Sequence, residues 1–197
     1  MERTVVISVP HAACQPVTLS APHPCDSVAP QMAKLLATRL NAQTVIFGSV
    51  PRSVVDMNRY PSRLVLDERK RLKEATSNQS KVILVDVHSY DDSAPWGEGA
   101  DLVVFDTEPL QYVSVLTMMH IRHMSNVRVG FVVGSQQNDI IIEAKSRGVP
   151  SIMLEVHEGS NLVEIADAVA AAINYVFERR LHHPYGKTAH EKKLGVI

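Results

Sequence analysis

No run of apolar residues in this chain of 197 residues reaches the roughly 20 needed to cross a bilayer, which excludes a membrane-spanning helix. Neither sign of charge is in excess. Twenty Lys and Arg face twenty-one Asp and Glu, for a formal net charge of -1, so no basic field draws the chain onto nucleic acid or an anionic membrane. Cysteine is scarce: Cys14 and Cys25 are too few for a disulfide framework and leave open a single bridge between them. The first residues lead straight into an apolar run without the charged region, apolar stretch and cleavage site of a secretory leader, so the expectation is a cytoplasmic protein. What remains is 45% hydrophobic and 21% charged, the balance of one soluble domain rather than a fibre, a disordered tail or a multidomain assembly.

Strand-length apolar runs alternate with stretches of helical period, the pattern of α/β units around a largely parallel sheet. Six runs suit strands: Thr4 to Val9, Thr44 to Phe47, Lys81 to Val87, Asp101 to Phe105, Val127 to Val133 and Ser151 to Val156. Met32, Leu35, Leu36 and Leu40 recur at helical spacing, which predicts a helix from about Ser27 to Asn41 with Asp26 or Ser27 as its cap and Pro30 in its first turn. A further helix is expected to begin near Ser62. The last helix starts after Asn161, which has capping-box spacing to Glu164, and is expected to end near Arg180. Residues 1–180 then form a single domain, and 181–197 a polar tail with Pro184 and Gly186. Two long connections, Pro10 to Cys25 and Ser89 to Ala100, follow strands and belong at the carboxyl edge of the sheet, where open α/β folds hold ligands.

Three strands end in a residue that a buried apolar run does not otherwise carry: His11, His88 and Glu155. Parallel strands bring all three to one edge. Two imidazoles and a carboxylate grouped there suit zinc, which takes N, O and S ligands and keeps one position open when it is catalytic. Asp26, at the start of the first helix, and Cys14, three residues after His11, both qualify as the further ligand. The plainer alternative makes each histidine a hydrogen-bonded loop residue. Between Pro51 and Tyr60 stand Arg52, Asp56, Asn58 and Arg59, and an arginine beside an asparagine is suited to a substrate carboxylate, the guanidinium offering a fork and the amide one more donor. Its plainer alternative is a solvated turn with Asp56 paired to Arg52 or Arg59.

Val-Pro-His at 9–11, Asp26 opening a helix, Arg-Ser-Val-Val-Asp-Met-Asn-Arg at 52–59, Asp-Val-His-Ser at 86–89 and Met-Leu-Glu at 153–155 occur in an order and spacing that resembles the N-formylglutamate amidohydrolase family. The resemblance covers most of the chain up to the last helix. It implies the zinc carboxypeptidase-like fold, an α/β three-layer architecture with a mostly parallel mixed sheet and helices on both faces. Asp56 to Arg59, His88-Ser89-Tyr90 and Glu155-Val156-His157 echo the corresponding carboxypeptidase signatures.

The resemblance further implies His11, Asp26 and His88 as zinc ligands, and Glu155 as the general base that activates water. Asn58 and Arg59 become the clamp on a substrate carboxylate, and Arg52 a donor to the oxyanion. The implied reaction is hydrolysis of an amide bond in an N-acyl amino acid or small peptide with a free carboxylate. The competing function is a binding or scaffold protein that keeps the fold, with or without the metal, and has no turnover. The chain departs from the pattern at Gly134 to Asn138, where the family has Pro-Tyr-x-Gly-Gly, and at His157, where it has arginine. Outside this set, His120 and His123 suit a helix face, Met118, Met119 and Met124 suit packing, and His182 and His183 suit a solvated tail. Arg69 to Arg71 suit an exposed helical face, and a thiol nucleophile at Cys14 or Cys25 lacks an activating environment.

Overall fold

The structure is a computed structural model that describes residues 4–14, 25–58, 65–77, 82–107, 110–134 and 138–182. Six strands, β1 (Thr4–Val9), β2 (Thr44–Phe47), β3 (Val82–Tyr90), β4 (Leu102–Asp106), β5 (Val129–Val133) and β6 (Ser151–His157), form one sheet in the order β2-β1-β3-β6-β4-β5. Neighbours run parallel except β4 against β6. The sheet is therefore mixed but mostly parallel, and the near-continuous apolar content of β1, β3 and β6 follows from burial of both its faces.

Among the described residues five helices cover it: α1 (Ala29–Leu40), α2 (Leu66–Ala75), α3 (Tyr112–Met124), α4 (Asp139–Ser146) and α5 (Leu162–His182). One face of the sheet, carrying Ile7, Val85, Val87, Leu154 and Val156, packs with Met32, Leu36, Ile121, Ile165 and Ile173 of α1, α3 and α5. The other face, carrying Val6, Leu84, Val103 and Met153, packs with Leu72 of α2 and Ile140, Ile141 and Ala144 of α4. These are the three layers expected.

Several boundaries differ from the sequence expectation. β3 runs on through Ser89 and Tyr90 because β6 pairs with both, so the following connection is shorter than Ser89 to Ala100 and contains a single 3-10 turn at Pro95–Gly97. The N-cap of α1 is Val28, without a side-chain cap, since the Asp26 carboxylate is engaged by two histidines. Asn161 does cap α5, accepting from the Val163 and Glu164 amides at 3.2 and 3.4 Å. The helix α4 has no counterpart in the sequence expectation: it is only eight residues long, too short for its period to stand out. The expected start of α2 near Ser62 and the tail from 183 onward lie outside the described residues, and α5 continues to His182.

Two close approaches shape the carboxyl edge. Gly48 donates its amide to the Val9 carbonyl, and a Cβ there would stand 2.0 Å from the Pro10 carbonyl oxygen, so only glycine lets the chain after β2 lie against the turn that carries His11. Gly97 lies under the Tyr90 ring in the same way, and the Tyr90 hydroxyl donates to the Ala100 carbonyl at 2.7 Å.

Candidate metal centre

Because β1, β3 and β6 are parallel, the residues at their carboxyl ends share one edge. His88 and Glu155 are register partners on β3 and β6, and His11 lies two residues past the end of β1. Asp26 arrives from the far end of the connection between β1 and α1, where its backbone amide donates to the His11 carbonyl at 3.1 Å. A disulfide between Cys14 and Cys25, with Cα atoms 4.7 Å apart, fastens that connection beside both residues. The bridge settles the alternative left open for Cys14. Its sulfur is bonded to Cys25 and serves neither as a metal ligand nor as a nucleophile.

Both histidines turn Nδ1 toward the same Asp26 oxygen, His11 at 3.2 Å and His88 at 2.8 Å. The rings meet edge to face with centroids 4.9 Å apart. Among the described residues, His11, Asp26 and His88 offer ligand atoms that all lie within 4.8 Å of one another, and all three side chains are buried. Two nitrogens and a carboxylate oxygen converging in this way fit the donor set of zinc.

The far nitrogen of each ring also faces a carboxylate. Asp56 Oδ1 lies 3.0 Å from His11 Nε2, and Asp86 Oδ2 lies 3.0 Å from His88 Nε2. Carboxylates in that place fix the ring orientation and raise the basicity of the nitrogen that faces the centre. Asp56 is itself held by the Asn58 backbone amide at 3.0 Å and by Arg52 Nε at 3.5 Å. The expected local pair of Asp56 with Arg52 thus exists, but it backs a buried histidine rather than closing a solvated turn.

Burial alone would push the Asp26 carboxyl up, yet the hydrogen bonds and charges of His11 and His88 outweigh it and hold Asp26 well below the usual carboxylate range. The same contest, with His11 as the partner, leaves Asp56 at about 2. Burial opposes charge on His88, but Asp86 and Asp26 prevail and raise its pKa well above the ordinary value. Glu155 differs in having no cation bonded to it among the described residues. Burial lifts it to about 8; the charges of Asp26 and Asp86 add to that rise, while His88 and Arg52 oppose it.

Asn58 is buried, with its side-chain amide 2.9 Å from His88 Nε2 and its backbone carbonyl accepting from the Asp139 amide at 2.6 Å. Arg52 is partly exposed, and Arg59 lies outside the described residues. Three residues were given no role in the site from the sequence. Asp86 stands two before His88 on the same strand face, which strand alternation could have revealed. Glu158 accepts from the Ser27 amide at 3.3 Å and the Ser89 hydroxyl at 3.0 Å, joining the residues that follow Asp26 and His88. Asn138 had no such signal.

No protein-family model matches the chain, and no curated protein matches it in sequence. Solved structures do. A gene product of Agrobacterium tumefaciens superposes with a TM-score of 0.74 over 90% of this chain and 92% of that one, at 14% identity. N-formylglutamate amidohydrolase from Ralstonia eutropha gives 0.63 over 92% and 96%, at 12% identity. The chain has the carboxypeptidase-like amidohydrolase fold.

The catalytic domain of an N-acetylmuramoyl-L-alanine amidase from Paenibacillus polymyxa shares the carboxypeptidase-like amidohydrolase fold too, with a TM-score of 0.56 over 90% of this chain and 99% of that one at 13% identity. Within the fold, this chain's own departure at His157 has a visible structural use: Nε2 lies 2.9 Å from Asp92 Oδ1, and the ring packs 5.2 Å from that of Tyr90. No helix among the described residues is long and apolar enough to cross a membrane.

Proposed function

We propose that the protein is a zinc-dependent amidohydrolase acting on an N-acyl amino acid, of the N-formylglutamate kind, or a small peptide with a free carboxylate. The observation that carries this reading is the meeting of His11, Asp26 and His88 beside the buried carboxyl of Glu155, the register partner of His88. Solved neighbours named as an N-formylglutamate amidohydrolase, an N-acetylmuramoyl-L-alanine amidase and an aminoacylase support it by their fold.

In this reading His11, Asp26 and His88 hold the ion, which supplies a Lewis acid able to lower the pKa of water from about 16 to about 7. Glu155 takes the proton of the attacking water and passes it to the leaving amine. Arg52 is steadied through Nε by Asp56 and offers its remaining N–H groups to the oxyanion that develops as the amide carbonyl is attacked. Asn58 and Arg59 are assigned to the substrate carboxylate, Asn58 from its place against His88.

The test is to assay zinc-loaded protein on N-formyl, N-acetyl and N-succinyl amino acids and on the same compounds with the carboxylate amidated. Release of free amino acid from the carboxylates, and little from the amides, is expected. Tight zinc binding without hydrolysis of any member of the panel would favour the binding or scaffold alternative.

A further inference from the structure

The site described so far leaves unexplained why Asp86, fully buried in the middle of the sheet, stays aimed at His88. Asp86 Oδ1 is buried with no hydrogen-bond partner among the described residues, so the donor that fixes this carboxylate beside the imidazole must act on Oδ2. The donor comes from another element. Asn138, itself buried, reaches from the start of α4 and donates its amide N–H to Asp86 Oδ2 at 2.6 Å, the same oxygen that faces His88 Nε2. Its own Oδ1 accepts from the Ile141 amide at 3.0 Å, so one side chain both caps α4 and pins Asp86. The next residue repeats the connection: the Asp139 amide donates to the carbonyl of Asn58, whose side-chain amide is the other group against His88 Nε2. Both groups behind His88 are thus held by the N-cap and the first residue of α4. This is also where the chain leaves the pattern of the family it resembles, at Gly134 to Asn138.

We infer that Asn138 is a positioning residue for His88, acting through Asp86, so that the N-terminus of α4 sets the orientation of a metal-binding imidazole. The inference rests on the zinc reading above. Asn138 touches neither the ion's ligand atoms nor the substrate in this account. Its work is to keep the Asp86 oxygen on the His88 Nε2–H, which leaves Nδ1 turned toward Asp26 and His11. Groups of this kind, when removed, typically cost about 10- to 100-fold in metal affinity.

Two variants separate this role from helix capping, measured by zinc affinity against a competing chelator, by melting temperature of the metal-free protein and by the His88 ring N–H resonance of the zinc-loaded protein. Asn138→Ser keeps a good cap but cannot also reach Asp86. Asn138→Asp keeps the cap and sets a carboxylate against Asp86 with no donor between them. The expected result is a loss of zinc affinity of roughly 10-fold or more in both variants and a displaced His88 Nε2–H resonance, the loss of affinity exceeding what the fall in melting temperature accounts for. Wild-type affinity in Asn138→Ser overturns the inference while leaving the zinc reading intact, as does a loss of affinity with the His88 resonance unmoved. A wild-type protein that takes up no zinc removes both.

Discussion

His88 and Glu155 are direct register partners on the adjacent parallel strands β3 and β6, and their side chains emerge on the same face of the sheet. Their adjacency is fixed by backbone hydrogen bonding and not by a loop, so a ligand and a base placed there keep their separation without further support. One of the two is bonded on both ring nitrogens, while the other is buried with a carboxyl raised to about 8.

Replacing Glu155 by Gln should therefore separate binding from chemistry. The amide nearly preserves shape and removes the base, so zinc content should stay at the wild-type level while turnover on any hydrolysed N-acyl amino acid falls by about 100-fold or more. Metal analysis and steady-state kinetics on the same preparation check this, and unimpaired turnover would remove Glu155 from the mechanism.

The raised Glu155 pKa has a consequence for the metal-free protein. A carboxyl whose folded pKa is about 8 against an ordinary 4.5 favours folding while it is protonated, and that contribution is lost as pH rises from about 4.5 through about 8. Metal-free wild type should lose stability relative to Glu155→Gln across that window. Thermal or denaturant melts at pH 5, 6.5 and 8 should show the gap between the two widening with pH.

The scaffold also reaches the site through a glycine. Gly48→Ala sets a Cβ 2.0 Å from the Pro10 carbonyl oxygen, and backbone on both sides must move to relieve it. The turn so displaced carries His11, so the variant should be destabilised by about 1 to 3 kcal/mol and should bind zinc more weakly than the melting shift alone explains. A folded Gly48→Ala protein with wild-type zinc affinity would show that the turn tolerates the displacement.

Much of the fold was legible because burial of both sheet faces writes strands as continuous apolar runs: β1 and β2 have the very limits that their sequence predicts. Helices α1 and α5 were legible through their long apolar stripes, whereas α4 spans barely two turns and shows no period. His11, Asp26, His88 and Glu155 were visible as polar residues at the ends of apolar runs or at a helix start, and the structure brings them to one edge. Apart from Asp86, which lies two residues before His88, the groups behind them were not, because they depend on pairings between elements distant in sequence. Asn138 meets Asp86 across 52 positions, and His11 meets Asp56 across 45, distances over which no local spacing rule operates. The disulfide was legible only as an option, since two cysteines eleven apart allow a bridge without requiring it.

The central claim is that His11, Asp26 and His88 hold one zinc ion, and metal titration of the purified protein beside its His88→Ala variant tests it most directly. Wild type stripped with chelator should take up one zinc per chain and gain thermal stability as it does so, while His88→Ala should lose most of that binding yet remain folded by circular dichroism. Absence of zinc binding to the wild type, or full retention of it in His88→Ala, would contradict the account.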